Sequence, residues 1–362
     1  MSPQRKPPTA PGHVAAPHAS PPPVTRTTRE EVDEAGRGFE HLGRRLLIPA
    51  FLGVLACVGL ALFADAGKVA ARLREFDLAL LLPILALSLA NYALRFIRWQ
   101  IYLDRLEVTL SRGKSLAVFL VGFLLSVTPG KAGELGKAWL VRELGGGPAR
   151  RVVPAVLAER ASDLLGVFVL LGLGALPFRG GIWIAAACFA AVAAAVAVLT
   201  WERGAEALFS LVAKIPAIGR RLGLIRGIYD DLRSLLSPGL LAIGLLIAVV
   251  AWGAEGIGFA LAVRQYAPDA GFLSGIFNYS LSTCAGSLSM LPGGLLAAEG
   301  VLTGLLSSQG LDAAAAASAT LIIRAATLWF AVLLGLFALP FVAHWLRAVG
   351  SQRRESTGRL AG

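Results

Sequence analysis

The sequence predicts an all-α polytopic membrane protein with six spanning helices and two Pro-Gly re-entrant hairpins, about eight transmembrane segments in an inverted repeat. Three observations predict it: 56% of the 362 residues are hydrophobic and only 16% are charged, long apolar runs recur along the chain, and its two halves share sequence. So much apolar surface excludes a soluble enzyme. The net charge of +11 is typical of a membrane protein whose basic loops set its orientation and contact anionic lipid. We therefore expect no nucleic-acid partner.

The two ends of the chain are polar. Residues 1–43 begin with eight prolines in the first 25 positions, a composition typical of a disordered tail, here expected in the cytoplasm. Residues 44–345 form the expected transmembrane domain, and residues 346–362 form a basic cytoplasmic tail. Residues 46–64 carry no charge over 19 positions and predict an uncleaved first span. A cleaved signal peptide is the alternative interpretation.

Five further apolar runs are long enough to cross a bilayer: 78–97, 152–176, 182–200, 240–263 and 313–339. Two other segments each run into a Pro-Gly pair: 115–128, which is only 14 residues long, and 272–291, which is rich in Ser, Thr, Asn and Gly. A broken helix is tolerated in lipid only where protein or water satisfies the freed backbone groups. We therefore expect both segments to face the interior of the protein.

The positions of Lys and Arg decide the orientation. If every run crossed once, the basic stretches 131–151 and 203–233 would lie outside, against the positive-inside rule. If each Pro-Gly segment returns to its own side, both stretches become cytoplasmic, together with both termini. The outward stretch 265–312 then contains no Lys or Arg, although the outward loop 65–77 contains three. We therefore expect a multi-pass protein of the bacterial inner membrane.

Residues 201–238 repeat apolar side chains at helical spacing with Arg and Asp between them. This pattern predicts amphipathic helices that lie on the cytoplasmic face of the membrane. A small amphipathic hairpin packed on itself is the alternative.

An internal repeat relates the two halves of the chain at a shift of 163 residues. The shift places residues 125–130 on 288–293 and residues 170–177 on 333–340. Arg160 and Arg324 correspond with a slip of one residue. Each repeat unit, 78–177 or 239–340, consists of a span, a Pro-Gly hairpin and a span, and the predicted orientation inserts the two units oppositely. Such inverted repeats are typical of transporters, whose binding site lies between the halves.

Ionisable residues inside the predicted spans are candidates for a functional charge cluster: Glu159, Arg160, Asp163, Arg324 and Glu255. Each costs at least ~2.5 kcal/mol at the bilayer centre unless it is paired or hydrated. We expect Glu159 and Asp163 to pair with Arg160 and Arg324 along a polar path at the midplane. A purely structural ion network is the alternative. Arg95 and Arg98 are expected to be interface anchors.

The tips of the two hairpins predict a site for a lipid headgroup. Its candidate residues are Pro129, Gly130, Lys131, Gly133, Glu134, Lys137, Pro292, Gly293, Gly294 and Glu299. Glycines permit close approach of the backbone, and helix N-termini with adjacent lysines attract phosphate. The alternative is that Pro-Gly only makes the turn and the lysines extend to the interface. The four histidines lie in polar tails, so we expect no metal site, no cofactor and no histidine-based catalytic residue.

At these residues the chain resembles a known family, the lysylphosphatidylglycerol synthase transmembrane-domain family of flippase-like integral membrane proteins. The resemblance covers roughly 45–340 and is carried by four segments: TPGKAGELGKAWLVRELGG, VLAERASDLLG, LPGGLLAAEGVLTGLL and IIRAATLW. Its Pro-Gly-x-x-Gly-Glu element is kept at Glu134, whereas in the second half the glutamate falls later, at Glu299.

The resemblance implies a lipid-handling function. In the founding enzymes this membrane part is fused to a cytosolic aminoacyl transferase and is implied to move the product lipid between leaflets. The present chain ends about twenty residues after the last span, and we expect a stand-alone member without synthase activity. Relatives are associated with phospholipid, glycolipid or hopanoid pathways.

Three hypotheses follow for the function. The first is a protein that binds an anionic lipid and translocates it between leaflets. The second is an intramembrane enzyme acting on a polyprenyl or lipid phosphate, with Glu159 or Asp163 as the base. The third is a partner that recruits a separate lipid-modifying enzyme without transporting lipid itself.

Overall fold

The computed structural model describes residues 64–128, 133–201 and 222–360, together with the isolated positions 55, 59, 204 and 206. Within these residues the regular secondary structure is entirely helical, as the sequence predicts. Several predicted features lie outside the described residues: the tail 1–43, nearly all of the first span 46–64, much of the amphipathic segment 201–238, and the tip residues Pro129, Gly130 and Lys131.

The helices are numbered here in chain order. They are α1 (Ala66–Arg74), α2 (Leu81–Arg105), α3 (Arg112–Leu125), α4 (Gly136–Glu143), α5 (Ala149–Ala175), α6 (Gly181–Thr200), α7 (Leu222–Leu235), α8 (Pro238–Arg264), α9 (Phe272–Leu288), α10 (Ala297–Ser308), α11 (Ala313–Arg324) and α12 (Phe330–Leu360). Short 3₁₀ turns at Leu78–Leu80 and Pro292–Gly294 precede α2 and α10. A π-helical turn, Ala325–Trp329, joins α11 to α12.

Four of the described helices are long and apolar enough to cross a membrane: Leu78–Arg105, Gly181–Thr200, Pro238–Arg264 and Ala313–Gln352. They contain four of the predicted spans. The fifth, predicted at 152–176, coincides with α5, a helix of 27 residues that measures about 40 Å at 1.5 Å per residue. Helix α5 is thus long enough to span, but ionised side chains such as Glu159 and Asp163 lower its hydropathy.

The helix that contains the second predicted span is longer than its apolar run of 78–97. Helix α2 continues to Arg105, and the side chain of Arg98 lies fully buried against Asp163. The last helix also extends further than its apolar run, since α12 continues to Leu360 through most of the predicted basic tail.

The two Pro-Gly segments each form a pair of short helices. Helix α3 packs against α4, and α9 packs against α10. At 14 residues, or about 21 Å, α3 is too short to cross a hydrocarbon core of about 30 Å. The start of α9 meets the end of α10, where the side-chain amides of Asn278 and Gln309 exchange two hydrogen bonds of 3.0 Å.

The long helices are arranged so that each half of the chain packs into the other. Helices α2 and α8 pack against one another in the middle of the protein. Helix α3 of the first half packs against α12 of the second, and α9 of the second half packs against α5 of the first. Glycines permit these close crossings: a methyl group at Gly174 would lie 2.7 Å from the amide nitrogen of Phe277.

Helix α7 is the described part of the predicted amphipathic segment. It packs against α5, and Leu235 at its end is fully buried, whereas Leu224 and Ile225 are exposed. The helix therefore uses one side for packing, as its spacing of apolar residues predicts.

Candidate functional site

A cavity of about 110 Å³ lies in the interior of the protein where the two halves meet. Its wall contains three arginines, two glutamates and four large aromatic residues: Arg95, Arg160, Arg324, Glu134, Glu255, Tyr92, Phe123, Trp252 and Tyr279. Glycines of the second hairpin tip, Gly293 and Gly294, complete it. The cavity thus brings together residues from both predicted sets, the intramembrane charges and the hairpin tips.

An arginine–glutamate pair joins the first hairpin to α5. Arg160 Nε lies 3.2 Å from the Glu134 carboxylate, and Arg160 Nη2 lies 3.0 Å from Asp163 one turn further along the same helix. The side chain of Arg160 is 26% exposed, whereas that of Glu134 is 5% exposed. Arg160 is therefore the more accessible partner from the cavity.

A second arginine–glutamate pair joins the other hairpin to α11. Arg324 Nε lies 2.6 Å from the Glu299 carboxylate, and Arg324 Nη2 donates a 3.0 Å hydrogen bond to the carbonyl of Gly293. Glu134 and Glu299 therefore have the same kind of partner. Their offset in sequence differs from that of the Pro-Gly pairs by two residues.

Asp163 is the centre of the charge cluster in the first half. Besides Arg160, its carboxylate accepts a 2.6 Å hydrogen bond from Arg98 and lies 3.6 Å from Arg95. Arg95 also lies 5.3 Å from the ring centre of Trp252, a cation–π distance. The expectation that Arg95 and Arg98 are interface anchors is wrong, because both side chains are buried against a carboxylate from another helix.

Lys137 and Glu159 form a separate buried pair beside the cavity. Lys137 Nζ lies 2.5 Å from the Glu159 carboxylate and 4.4 Å from the ring centre of Trp99. Neither Lys137 nor Glu159 lines the cavity. Lys137 does not extend to the interface either, since only 3% of its side chain is exposed. The predicted pairing of Glu159 with Arg160 or Arg324 is wrong, because α4 brings a lysine closer.

Glu255 is a buried carboxylate of α8 at the cavity wall. It is 4% exposed, and its Oε2 accepts a 2.7 Å hydrogen bond from the hydroxyl of Tyr279 on α9. Within the described residues, no lysine or arginine nitrogen lies within 4.0 Å of it. Arg95 and Arg324 belong to helices that pack against α8, but each already pairs with another carboxylate.

The tip of the second hairpin has an unusual backbone. Gly293 and Gly294 have φ values of 61° and 66°, which glycine adopts without strain, but Met290 and Leu296 also have positive φ, at 54° and 67°. Side-chain-bearing residues in this region indicate strain maintained by the surrounding structure, a feature that is common at binding sites. Gly294 also packs directly on the backbone of Gly286 in α9.

The first hairpin tip is described from Gly133 onward. Its amide donates a 2.7 Å hydrogen bond to the hydroxyl of Thr128, and a methyl group at this position would lie 2.6 Å from the carbonyl oxygen of Leu125. Only glycine at position 133 permits the backbone to approach the Leu125 carbonyl so closely. The predicted tip residue Pro292 begins the corresponding 3₁₀ turn of the second hairpin.

The sequence did not indicate Tyr92, Phe123, Trp252 or Tyr279 as cavity residues, and Arg95 was given the wrong role. The rule applied to the other intramembrane charges would also have selected Arg95, which lies within an apolar run. The aromatic residues carry no such signal. The Tyr92 hydroxyl donates a 2.6 Å hydrogen bond to the carbonyl of Thr327 in the π-helical turn, a partner 235 residues away.

Comparison with known proteins places these residues in a family. A family model described as the lysylphosphatidylglycerol synthase TM region matches residues 50–335. A UPF0104 membrane protein of Methanothermobacter thermautotrophicus is 24% identical over 331 residues, which cover 84% of this chain and 96% of that protein. The range matched by the family model contains the whole wall of the cavity and both arginine–glutamate pairs. The chain is a multi-pass membrane protein and belongs to the lysylphosphatidylglycerol synthase transmembrane-region family.

Proposed function

We propose that this protein binds a lipid with an anionic headgroup in the central cavity and translocates it between the leaflets of the membrane. The observation that carries the proposal is the convergence of Arg160 and Arg324 on one cavity from opposite halves of the chain. Guanidinium groups bind phosphate in a bidentate manner. Glu134 and Glu299 pair with the same arginines and compensate their buried charge.

The lining of the cavity supports a headgroup as its occupant. Three arginines and two glutamates line a space of about 110 Å³, and these groups suit a charged headgroup better than an acyl chain. We infer that the acyl chains remain in the bilayer while the headgroup passes between the halves. The shared chemistry required of the headgroup is one phosphate, which phospholipid and lipid-linked sugar pathways both supply.

We propose further that the fold is an inverted repeat with six spans and two re-entrant hairpins. The packing between the two halves supports this proposal. The first helix of each hairpin packs on the last long helix of the other half: α3 on α12 and α9 on α5. In each hairpin, the start of the first helix also lies near the end of the second helix. Asn278 bonds Gln309 across the second hairpin, and the Glu107 carboxylate lies 4.0 Å from Arg151 beside the first.

The orientation we propose has both termini in the cytoplasm of a bacterial inner membrane. Contacts between loops support the sides predicted from Lys and Arg positions. Arg72 lies 2.9 Å from Asp312, and the Tyr266 hydroxyl donates to the carbonyl of Arg72, so that the segments 65–77 and 265–312 share one end of the protein. Both segments are predicted to be outward-facing.

An intramembrane enzyme is the less favoured function. The two carboxylates considered as its base, Glu159 and Asp163, are bound by Lys137 and by arginines, and neither lines the cavity. We therefore propose membrane lipids as the partners of this chain and translocation as its activity.

Reconstitution of the purified full chain in liposomes tests this proposal. Vesicles that contain fluorescent phosphatidylglycerol report translocation as the fraction of label that a membrane-impermeant reductant can reach over time. We expect the wild type to accelerate exchange and the double variant Arg160→Ala, Arg324→Ala to lose at least about tenfold in rate, the equivalent of about 1.4 kcal/mol. Equal rates for the two proteins contradict the proposal.

Two control variants separate the loss of a binding site from the loss of folding. The exposed arginines Arg142 and Arg151 are replaced by alanine as a charge-matched control, which we expect to retain the wild-type rate. A quadruple variant replaces both pairs by glutamine, at Glu134, Arg160, Glu299 and Arg324. It leaves no unpaired charge at these positions, and we expect it to elute as a folded protein while translocation is lost.

A further inference from the structure

The charge cluster around the cavity contains one carboxylate that differs from the others. The described acidic members are Glu134, Glu159, Asp163, Glu255 and Glu299, and the described basic members are Arg95, Arg98, Lys137, Arg160 and Arg324. Four of the five carboxylates lie within 4.0 Å of a basic nitrogen. Glu255 has instead the Tyr279 hydroxyl, which stabilises a carboxylate less than a cation does.

The groups that face Glu255 come from every helix packed against α8. Helix α2 contributes Arg95 and Tyr92, α5 contributes Asp163, α9 contributes Tyr279, and α11 contributes Arg324. Both arginines are engaged by other carboxylates, Arg95 by Asp163 and Arg324 by Glu299. A carboxylate that is 4% exposed and has no adjacent cation is stabilised by taking up a proton.

The balance of charge links that proton to the ligand. If all ten groups are ionised, the five positive and five negative charges of the described cluster cancel, and an anionic headgroup would add an uncompensated charge to a low-dielectric cavity. If Glu255 is protonated, the cluster carries one net positive charge. That charge matches the single negative charge of a phosphodiester.

We propose that Glu255 is a proton-binding site coupled to the headgroup, so that one proton enters the cavity with each phosphodiester anion and leaves with it. This inference rests on the proposed lipid binding. It adds a proton gradient as the source of energy for translocation. The co-bound pair is electrically neutral. Its movement would respond to a pH gradient across the membrane and would be insensitive to the electrical potential.

Lipid binding as a function of pH tests the proposal. The full chain in detergent is titrated with short-chain phosphatidylglycerol, a phosphodiester that keeps one charge between about pH 5.5 and about pH 8.5. Linkage predicts that the affinity falls about tenfold per pH unit above the pKa of a single coupled group. For Glu255→Gln, a neutral mimic of the protonated acid, we expect the low-pH affinity at every pH. The matched control Glu107→Gln replaces an exposed glutamate and should retain the wild-type dependence.

Proton uptake provides a second measurement that needs no variant. In weakly buffered solution with a pH indicator, wild-type protein above the pKa of Glu255 should take up one proton per lipid bound. Binding at all pH values without proton uptake overturns the inference but leaves the proposed lipid binding intact. A Glu255→Gln protein that keeps the wild-type pH dependence also overturns it. The absence of phosphatidylglycerol binding at every pH contradicts the proposed function itself.

Discussion

The guanidinium of Arg324 lies 2.6 Å from the carboxylate of Glu299, and the two side chains are 11% and 3% exposed. This pair joins the end of α11 to the start of α10, and the bond from Arg324 to the Gly293 carbonyl extends the connection to the hairpin tip. In the first half, Arg160 pairs with Glu134 at 3.2 Å in the same way. The two halves therefore hold their hairpins by the same chemistry.

Replacement of the Arg324 side chain by an apolar one should destabilise the protein strongly. Arg324→Leu leaves Glu299 buried without its cation, a defect that costs about 3–5 kcal/mol. Thermal unfolding in detergent, followed by tryptophan fluorescence, should show a large decrease in the midpoint. The double variant Arg324→Leu, Glu299→Leu should recover part of it. Arg142→Leu is the control, because its pair with Glu143 is exposed, and a decrease as large as that of Arg324→Leu would contradict the prediction.

Lys137 and Glu159 should be replaceable together but not singly. The two arginine–glutamate pairs align Lys137 with Leu302 and Glu159 with Ile323, and in the second half these two residues pack in one buried apolar cluster. Lys137→Leu alone should cost about 3–5 kcal/mol, whereas Lys137→Leu with Glu159→Ile should restore most of the stability.

The same double variant separates the two roles considered for Lys137. Since Lys137 does not line the cavity, we expect the double variant to retain lipid translocation in the vesicle assay. A folded double variant that no longer translocates lipid would show that Lys137 acts on the headgroup.

Larger residues at the helix crossings should separate the two halves. A Cβ at Gly174 would lie 2.7 Å from the Phe277 amide nitrogen, and one at Gly335 would lie 2.7 Å from the Leu120 carbonyl oxygen. Valine at either position must move a backbone, and we expect a lower unfolding midpoint and loss of lipid translocation. Gly300 and Gly304 in α10 have open space around them, so alanine there should be neutral or stabilising by up to about 1 kcal/mol. A similar loss at all four positions would contradict this account.

The cap of α11 should make part of the stability dependent on pH. The Ala315 amide donates to the Asp312 carboxylate at 2.9 Å, and this bond together with nearby Arg72 lowers the pKa of Asp312 below its ordinary value of 3.8. A lowered pKa means that the stabilisation is complete above 3.8 and is lost as the pH falls through the pKa of the folded state.

Two substitutions isolate this contribution. Asp312→Ala should cost about 1 kcal/mol at neutral pH, and its difference from the wild type should shrink as the pH falls below about 4. Asp312→Asn retains a capping oxygen without a charge, so its cost at neutral pH should be smaller. Asparagine does not titrate, and the difference from the wild type should therefore also shrink as Asp312 of the wild type is protonated in acid. A difference between the wild type and Asp312→Ala that grows in acid would contradict the assignment.

Much of the architecture could be predicted from local composition. Runs of apolar residues located α6 and α8 to within about three residues, because exclusion of charge from hydrocarbon acts on each segment separately. The Pro-Gly pairs correctly marked where α3 and α9 end. The shift between the two halves predicts that Arg160 and Arg324 correspond, and each arginine pairs with a glutamate in its own half.

The partners of the charges could not be predicted in the same way. Sequence spacing put Glu159 and Asp163 on one face of α5, but their cations come from other helices: Lys137 from α4 for Glu159, and Arg98 from α2 for Asp163. These choices depend on how helices distant along the chain cross, and a difference of one helical turn would exchange them.

Amino-acid order alone was therefore sufficient for the helical class, most of the spans, the breaks and the presence of costly buried charge, since each follows from the transfer of a segment or a side chain out of water. The three-dimensional packing of α2, α5, α8 and α11 decided which charges neutralise one another and left Glu255 without a cation among the described residues. Electrostatic pairing acts over a few ångströms, and only the packed helices bring residues from distant parts of the chain within that range.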